Sequence, residues 1–194
     1  MKKVLSLLLM LLMLLSLCAC GDGDDSATDP TQEKIYDPST AVGSWFLEGI
    51  NNEGTEYETV SLTLGDGTAS INIAYFGKLE YSSQEMLDFI LENGYYSDGE
   101  NTQYYYDIKQ YNGVYYCSAM YGMSADGTYT VDGNTITLSL TTYHGLTGNM
   151  VLYMTSETTV NFVSVDESLF DEIIREVLNN GKVFAKTEPS QDEG

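Results

Sequence analysis

Apolar positions fall into three regimes along the chain. Over residues 4–17 they are nearly continuous, broken only by Ser6 and Ser16. Over 21–40 they give way to Asp, Ser, Thr, Pro30 and Pro38. Over 41–186 they alternate with polar residues for long stretches. Alternation at period two puts successive side chains on opposite faces, as a strand does. In Tyr57-Glu58-Thr59-Val60-Ser61-Leu62-Thr63-Leu64 the residues Val60, Leu62 and Leu64 share one face. Gly65-Asp66-Gly67 then supplies a turn where positive φ costs little, and 69–75 alternates again, which predicts a hairpin. The same device recurs: Ala125-Asp126-Gly127 precedes 128–131, and Asp132-Gly133-Asn134 turns into 135–140, with Ile136, Leu138 and Leu140 on one face. Further strands are predicted at 42–50, at 104–109 and 114–121 around Asn112-Gly113, and at 151–155 and 158–165.

Two stretches switch to helical spacing. Residues 82–93 carry Met86, Leu87, Phe89, Ile90 and Leu91; Ser82 and Glu85 have capping-box spacing, and Gly94 is a C-terminal stop. Residues 167–180 repeat Leu169, Phe170, Ile173, Ile174, Val177 and Leu178, with Gly181 closing the run. Eight or nine strands with short turns predict a mainly β fold, an antiparallel barrel or sandwich on which the two helices pack or whose open end they plug.

The N-terminal run is preceded by Lys2 and Lys3 and followed by Asp22, Asp24 and Asp25. A positive start and a short apolar stretch are the order of a signal peptide, and the stretch falls short of the roughly 20 apolar residues a membrane-spanning helix needs. It ends in Leu17-Cys18-Ala19-Cys20-Gly21, which resembles the bacterial lipobox: an aliphatic residue, two small residues, then a cysteine. The resemblance implies that 1–19 is removed, that the Cys20 thiol receives a diacylglyceryl group and the new N-terminus an acyl chain, and that the protein is held on the extracytoplasmic side of a cell membrane. Two or more chains anchor stably, at about 0.8 kcal/mol for each buried CH₂. An ordinary secretory signal, leaving a free thiol at Cys20, is the plainer alternative.

The expected organisation is therefore a signal peptide at 1–19, the lipidated Cys20 and an acidic tether to 40, one folded domain at 41–186, and a polar tail at 187–194. The mature part holds 6 basic against 29 acidic residues, a net charge of −23. That excludes nucleic acid, which needs a basic footprint, and speaks against direct docking on anionic headgroups. Acidity of this degree also simply keeps an exported domain soluble. With Cys18 removed and Cys20 lipidated, only Cys117 is left, so no internal disulfide can form and the domain depends on its core.

Val42-Gly43-Ser44-Trp45-Phe46 resembles the opening Gly-x-Trp signature of lipocalins and lipocalin-like domains. The strand-Asp-Gly-Thr-strand units at 64–71 and 126–138 are similar to the repeated hairpin of bacterial lipocalin-like lipoproteins. The resemblance spans 42–165, with a helical insertion in its middle. It implies an up-and-down antiparallel β-barrel of about eight strands, in which Trp45 closes the base. A barrel of that size holds side chains or one small apolar ligand. The family's arginine that packs on this tryptophan near the last strand has no counterpart, since Arg175, the only arginine, falls in the C-terminal helix.

Candidate chemistry is sparse. The chain has sixteen tyrosines, and nine of them cluster between 95 and 121. Tyrosine joins an apolar ring to a polar tip, and Tyr105, Tyr115 and Tyr121 are taken as representatives of a ligand-contacting set; good strand formers on half-buried faces would give the same composition. The chain has no nucleophile elbow, phosphate-binding loop or His-Glu-x-x-His motif, and its single histidine, His144, rules out a histidine-rich metal site and reads as a surface residue. No catalytic residue, metal or cofactor beyond the lipid on Cys20 is expected. The leading expectation is a non-enzymatic, membrane-anchored protein that binds a small apolar or amphipathic ligand in the barrel. The alternative is a filled barrel acting as a structural or interaction domain for an envelope protein or cell-wall component. An enzyme comes third. The barrel's interior separates them: an open lined cavity, a packed core, or convergent carboxylates in a cleft.

Overall fold

The computed structural model describes residues 33–187, except the side chains of Met120 and Tyr121. The expected signal peptide, Cys20, the first part of the expected tether and the tail from 188 lie outside the described residues. Eleven strands form along this stretch. They are β1 (Gly43–Ile50), β2 (Glu56–Gly65), β3 (Thr68–Lys78), β4 (Tyr95–Ser97), β5 (Thr102–Tyr104), β6 (Lys109–Tyr111), β7 (Val114–Asp132), β8 (Thr135–Thr142), β9 (Thr147–Ser156), β10 (Thr159–Val165) and β11 (Val183–Thr187). Each of β1–β3 and β7–β11 pairs antiparallel with its neighbours in the order β3-β2-β1-β11-β10-β9-β8-β7, and β7 returns to β3. The expected up-and-down antiparallel barrel of eight strands is thus closed, and closure leaves those strands no free edge.

The alternation read from sequence sets the two faces. Val60, Leu62 and Leu64 point inward from β2, Ile71 and Ile73 from β3, and Ile136, Leu138 and Leu140 from β8. They meet Met150, Leu152 and Met154 of β9 and Phe184 of β11 in one continuous cluster at or near zero exposure. A void that admitted water would expose its walls; these walls are not exposed, so the middle of the barrel is filled by side chains. Each such residue contributes about 1.5–3 kcal/mol through burial.

One end is closed and the other is partly covered by a helix. At one end a short 3₁₀ turn (Pro38–Ala41), begun by Asp37, brings Ala41 over Trp45, whose Nε1 donates to the Ala41 carbonyl at 2.9 Å. Tyr36, read from sequence as tether, belongs to this base: its N–H donates to Asn134 Oδ1 and its hydroxyl to the Thr155 carbonyl. At the other end lies the C-terminal helix α2 (Glu172–Gly181), which buries Ile174, Val177 and Leu178. It presses close to β1, for a Cβ on Gly49 would sit 2.8 Å from the Val177 carbonyl oxygen. Asn180 Nδ2 and the Glu176 carboxylate tie it to Ile50 and Asn52 of the β1–β2 turn. The other helix, α1 (Gln84–Asn93), packs outside the barrel in the connection between β3 and β7. Its N-cap is Ser83, one residue later than the capping-box spacing suggests, and Gly94 ends it at φ 74°. No helix among the described residues is long and apolar enough to cross a membrane.

Four expectations need correction. Asp126-Gly127-Thr128 is not a turn but the middle of β7, which runs unbroken for 19 residues. Gly127 serves close approach instead: a Cβ there would collide with the Ser139 carbonyl oxygen of β8. Residues 104–109 do not form one strand, because Asp107 adopts φ 47° and the Tyr105 N–H bonds to the Gly94 carbonyl. The C-terminal helix starts at Glu172 rather than 167, since Asp171 caps it by accepting from the Ile174 N–H at 3.0 Å. Finally β11, assigned from sequence to no element, closes the barrel between β1 and β10.

Candidate functional site

The barrel end that α2 covers is open on one side. There the start of β2, the end of β3, the middle of β7, the β8–β9 loop and the start of α2 enclose a half-open pocket of about 380 Å³. Its walls are Glu56, Tyr75, Gly122, Met123, Ser124, Tyr143, His144, Asp171 and Ile173. The chain approaches closely here: a Cβ on Gly122 would lie 2.6 Å from the Ile73 carbonyl oxygen. β7 bulges against β3 between Ala74 and Phe76. A bulge of this kind bends a strand and re-aims its side chains. Tyr143 stands 88 % exposed at the rim, and its ring meets the His144 ring edge-on at 5.6 Å between centroids.

Glu58 lies under this pocket. By register it faces inward like Val60, flanked by Gly49 of β1 and Tyr75 of β3. It is 0 % exposed, and neither carboxylate oxygen has a hydrogen-bond partner. A buried, unpaired carboxylate is costly, so the group holds its proton instead. Burial, and then the nearby charges of Asp171 and Glu56, push its pKa up to about 8. Burial also raises Glu56. Asp171 spends one oxygen on the α2 cap. The pocket thus carries two carboxylates at its wall and a third, protonated at neutral pH, behind it. Its lining holds no Lys or Arg, and one histidine, His144. Arg175, one turn into α2, bonds to the Asp171 carbonyl and lies 3.8 Å from Glu167.

Two of the three tyrosines singled out from sequence lie elsewhere. Tyr105 and Tyr115 are half-buried against Leu79, Leu87 and Ile90, where α1 covers the outside of the barrel. Tyr121 is on β7, and its side chain is outside the described residues. A second aromatic group, Tyr57, Phe76, Tyr111 and Tyr116, coats the outer wall, with Tyr57 donating to Glu48 Oε2 at 2.6 Å. Cys117 packs in the α1 cluster, where burial pushes its thiol up, while His144 is at the pocket. Trp45 is 1 % exposed, and Lys186 of β11 places its Nζ 5.2 Å from the ring centroid. A last-strand lysine thus stands over this tryptophan, where sequence reading sought an arginine. Among the described residues no three His, Cys, Asp or Glu side chains are grouped to share one metal ion.

Sequence reading missed Glu56, Glu58, Tyr75, Met123, Tyr143 and Asp171. One signal was present for Glu58: it shares parity with Val60, Leu62 and Leu64, so an acid was written on an inward face. No protein-family model matches the chain, and no curated protein matches it.

Proposed function

We propose that this protein is a lipid-anchored, extracytoplasmic, non-enzymatic binding protein of lipocalin-like build, which takes a small amphipathic ligand at the mouth of its barrel rather than in the middle. The observation that carries this reading is the pocket of about 380 Å³ set on a filled barrel, with Tyr75, Met123 and Ile173 beside Glu56 and Asp171. Pockets of a few hundred Å³ with apolar walls and a few polar groups are the usual form of small-molecule sites. Convergent carboxylates are also what a hydrolase uses, but Glu58 is fully buried behind the pocket wall, where it does not touch a reacting bond. The anchor supports the location: Cys20 ends an apolar leader, and an acidic segment follows it.

Two experiments test these parts separately. Labelled fatty acid should enter the wild-type chain and not Cys20→Ser; equal labelling of both would overturn the anchor. For the pocket, methionine methyl groups are labelled in the full chain, Met123 is assigned with Met123→Leu, and a set of small amphipathic compounds is screened by NMR in mild detergent. Some compounds should move the Met123 signal while Met150 and Met154, buried in the core, stay in place. If no compound moves Met123, the pocket reading falls. The filled interior then favours the other reading, an interaction domain that docks an envelope protein or cell-wall component.

A further inference from the structure

We propose that the pocket selects organic cations: amines or quaternary ammonium groups carried on an apolar body, seated between Glu56 and Asp171 over the buried Glu58. This rests on the pocket being the ligand site. Three observations carry it. First, the lining has two carboxylates and no Lys or Arg, its one basic side chain being His144 on the β8–β9 loop. Second, Glu58 points inward beneath the same wall, fully buried, with both carboxylate oxygens unpartnered. Folding leaves that group without compensation, and a cation above it would provide compensation. Third, the rest of the wall suits the apolar part of such a ligand: Met123 and Ile173 at the side, Tyr75 below, and the exposed Tyr143 ring at the rim, where an aromatic face attracts a cation within about 6 Å. A bare metal ion fits less well, because no three acidic or metal-ligating side chains among the described residues are grouped for one.

A linked proton follows. Glu58 is faced by Glu56 on its own strand, by Tyr75 on β3, by Asp171 at the start of α2, and by Gly49, without a side chain, on β1. Near pH 7 it is mostly protonated. A cation held beside it stabilises the carboxylate, so its carboxyl O–H breaks, the electron pair stays on oxygen, and the proton passes to solvent. Binding is therefore tighter at higher pH and releases part of a proton.

The test uses three probes with one aromatic body: 2-phenylethylamine, 2-phenylethanol and 3-phenylpropionate, titrated at pH 7 into the full chain in mild detergent. The amine should bind at least about tenfold tighter than the alcohol, and the carboxylate more weakly than either. The double variant Glu56→Gln with Asp171→Asn should lose the preference for the amine and keep the alcohol's affinity. Asn caps a helix as well as Asp, so α2 is retained. Calorimetry in two buffers of different ionisation enthalpy should show proton release on amine binding, absent in Glu58→Gln. Equal affinity for amine and alcohol, or tighter binding of the carboxylate, overturns the cation selectivity while leaving the pocket in place. Failure of all three to shift the Met123 methyl overturns both.

Discussion

Glu58→Gln should make the protein more stable, and increasingly so as pH rises. In the folded chain burial and the neighbouring acids hold this carboxyl at about 8, whereas an exposed glutamate titrates near 4.5. Between those values the folded state keeps a proton that the unfolded state has lost. The contribution is therefore fully present below pH 4.5 and drains away as pH climbs to 8, by up to about 1.4 kcal/mol for each unit. Glutamine has the same shape and no proton to lose. Urea unfolding of the full chain in mild detergent should find the two proteins close at pH 5. At pH 8.5 the variant should be ahead by roughly 3–5 kcal/mol, the scale of a charge buried without a partner. Asp171→Asn removes one of the repelling charges and should reduce the wild-type slope without removing it. Parallel stability curves for wild type and Glu58→Gln would mean that Glu58 is hydrated and ordinary, and the linked proton release would fall with it.

A stabilising substitution at a buried position is informative because core residues seldom allow one. Proteins accept strain of this kind mainly where function needs it. The filled middle of the barrel supplies the stability on which such a group can be carried. On the proposed function, binding and folding would fall at different levels of the barrel: aliphatic layers in the centre, a base closed by Trp45, and a mouth where the acids converge.

The strands were largely legible because a closed barrel enforces its pattern residue by residue. In the filled middle of the barrel inward positions are apolar while outward ones can be polar, so Val60-Leu62-Leu64 and Ile136-Leu138-Leu140 could be placed from the pattern alone. Glycine was harder to read. Gly67 and Gly133 do occupy turns, at φ 76° and 56°, whereas Gly127 sits mid-strand because β8 passes too close for a side chain. The local motif is the same in both cases, and only the neighbouring strand decides between them. β11 was illegible for a related reason. It has five residues beside a polar tail, and only Phe184 of them is buried. The pocket was the least legible part. Its residues come from β2, β3, β7, the β8–β9 loop and the start of α2, and nothing local links Glu56 to Asp171. The tyrosine cluster drew attention because it is dense in sequence, yet Tyr105 and Tyr115 serve as packing between α1 and the barrel wall.

Trp45→Ala should be among the most damaging single substitutions and should leave the pocket's preference intact. The indole is 1 % exposed within the base, donates its N–H to Ala41 at 2.9 Å, and carries the Lys186 ammonium 5.2 Å from its centroid. Removing it opens a large cavity, strands the Ala41 carbonyl and frees Lys186, whose Nζ otherwise also donates to the Thr40 carbonyl at 2.8 Å. Phe or Trp to Ala in a core costs about 3–5 kcal/mol. In a chain of this size each kcal/mol lowers the melting temperature by roughly 2–4 °C, so a fall of about 10 °C is expected in thermal unfolding. Trp45→Phe keeps most of the volume and loses the hydrogen bond, which should cost about 1–3 kcal/mol. Lys186→Met removes only the cation over the ring and its bond to Thr40, and should cost about 1 kcal/mol. The order Ala, Phe, Met is the diagnostic. A loss under 1 kcal/mol for Trp45→Ala would mean that the base is held by the 3₁₀ turn and Tyr36 instead. Because Trp45 lies near the start of β1 and Gly49 beside Glu58 lies near its end, the folded fraction of Trp45→Ala should keep the wild-type preference for amine over alcohol. Loss of that preference would couple the two ends of the barrel.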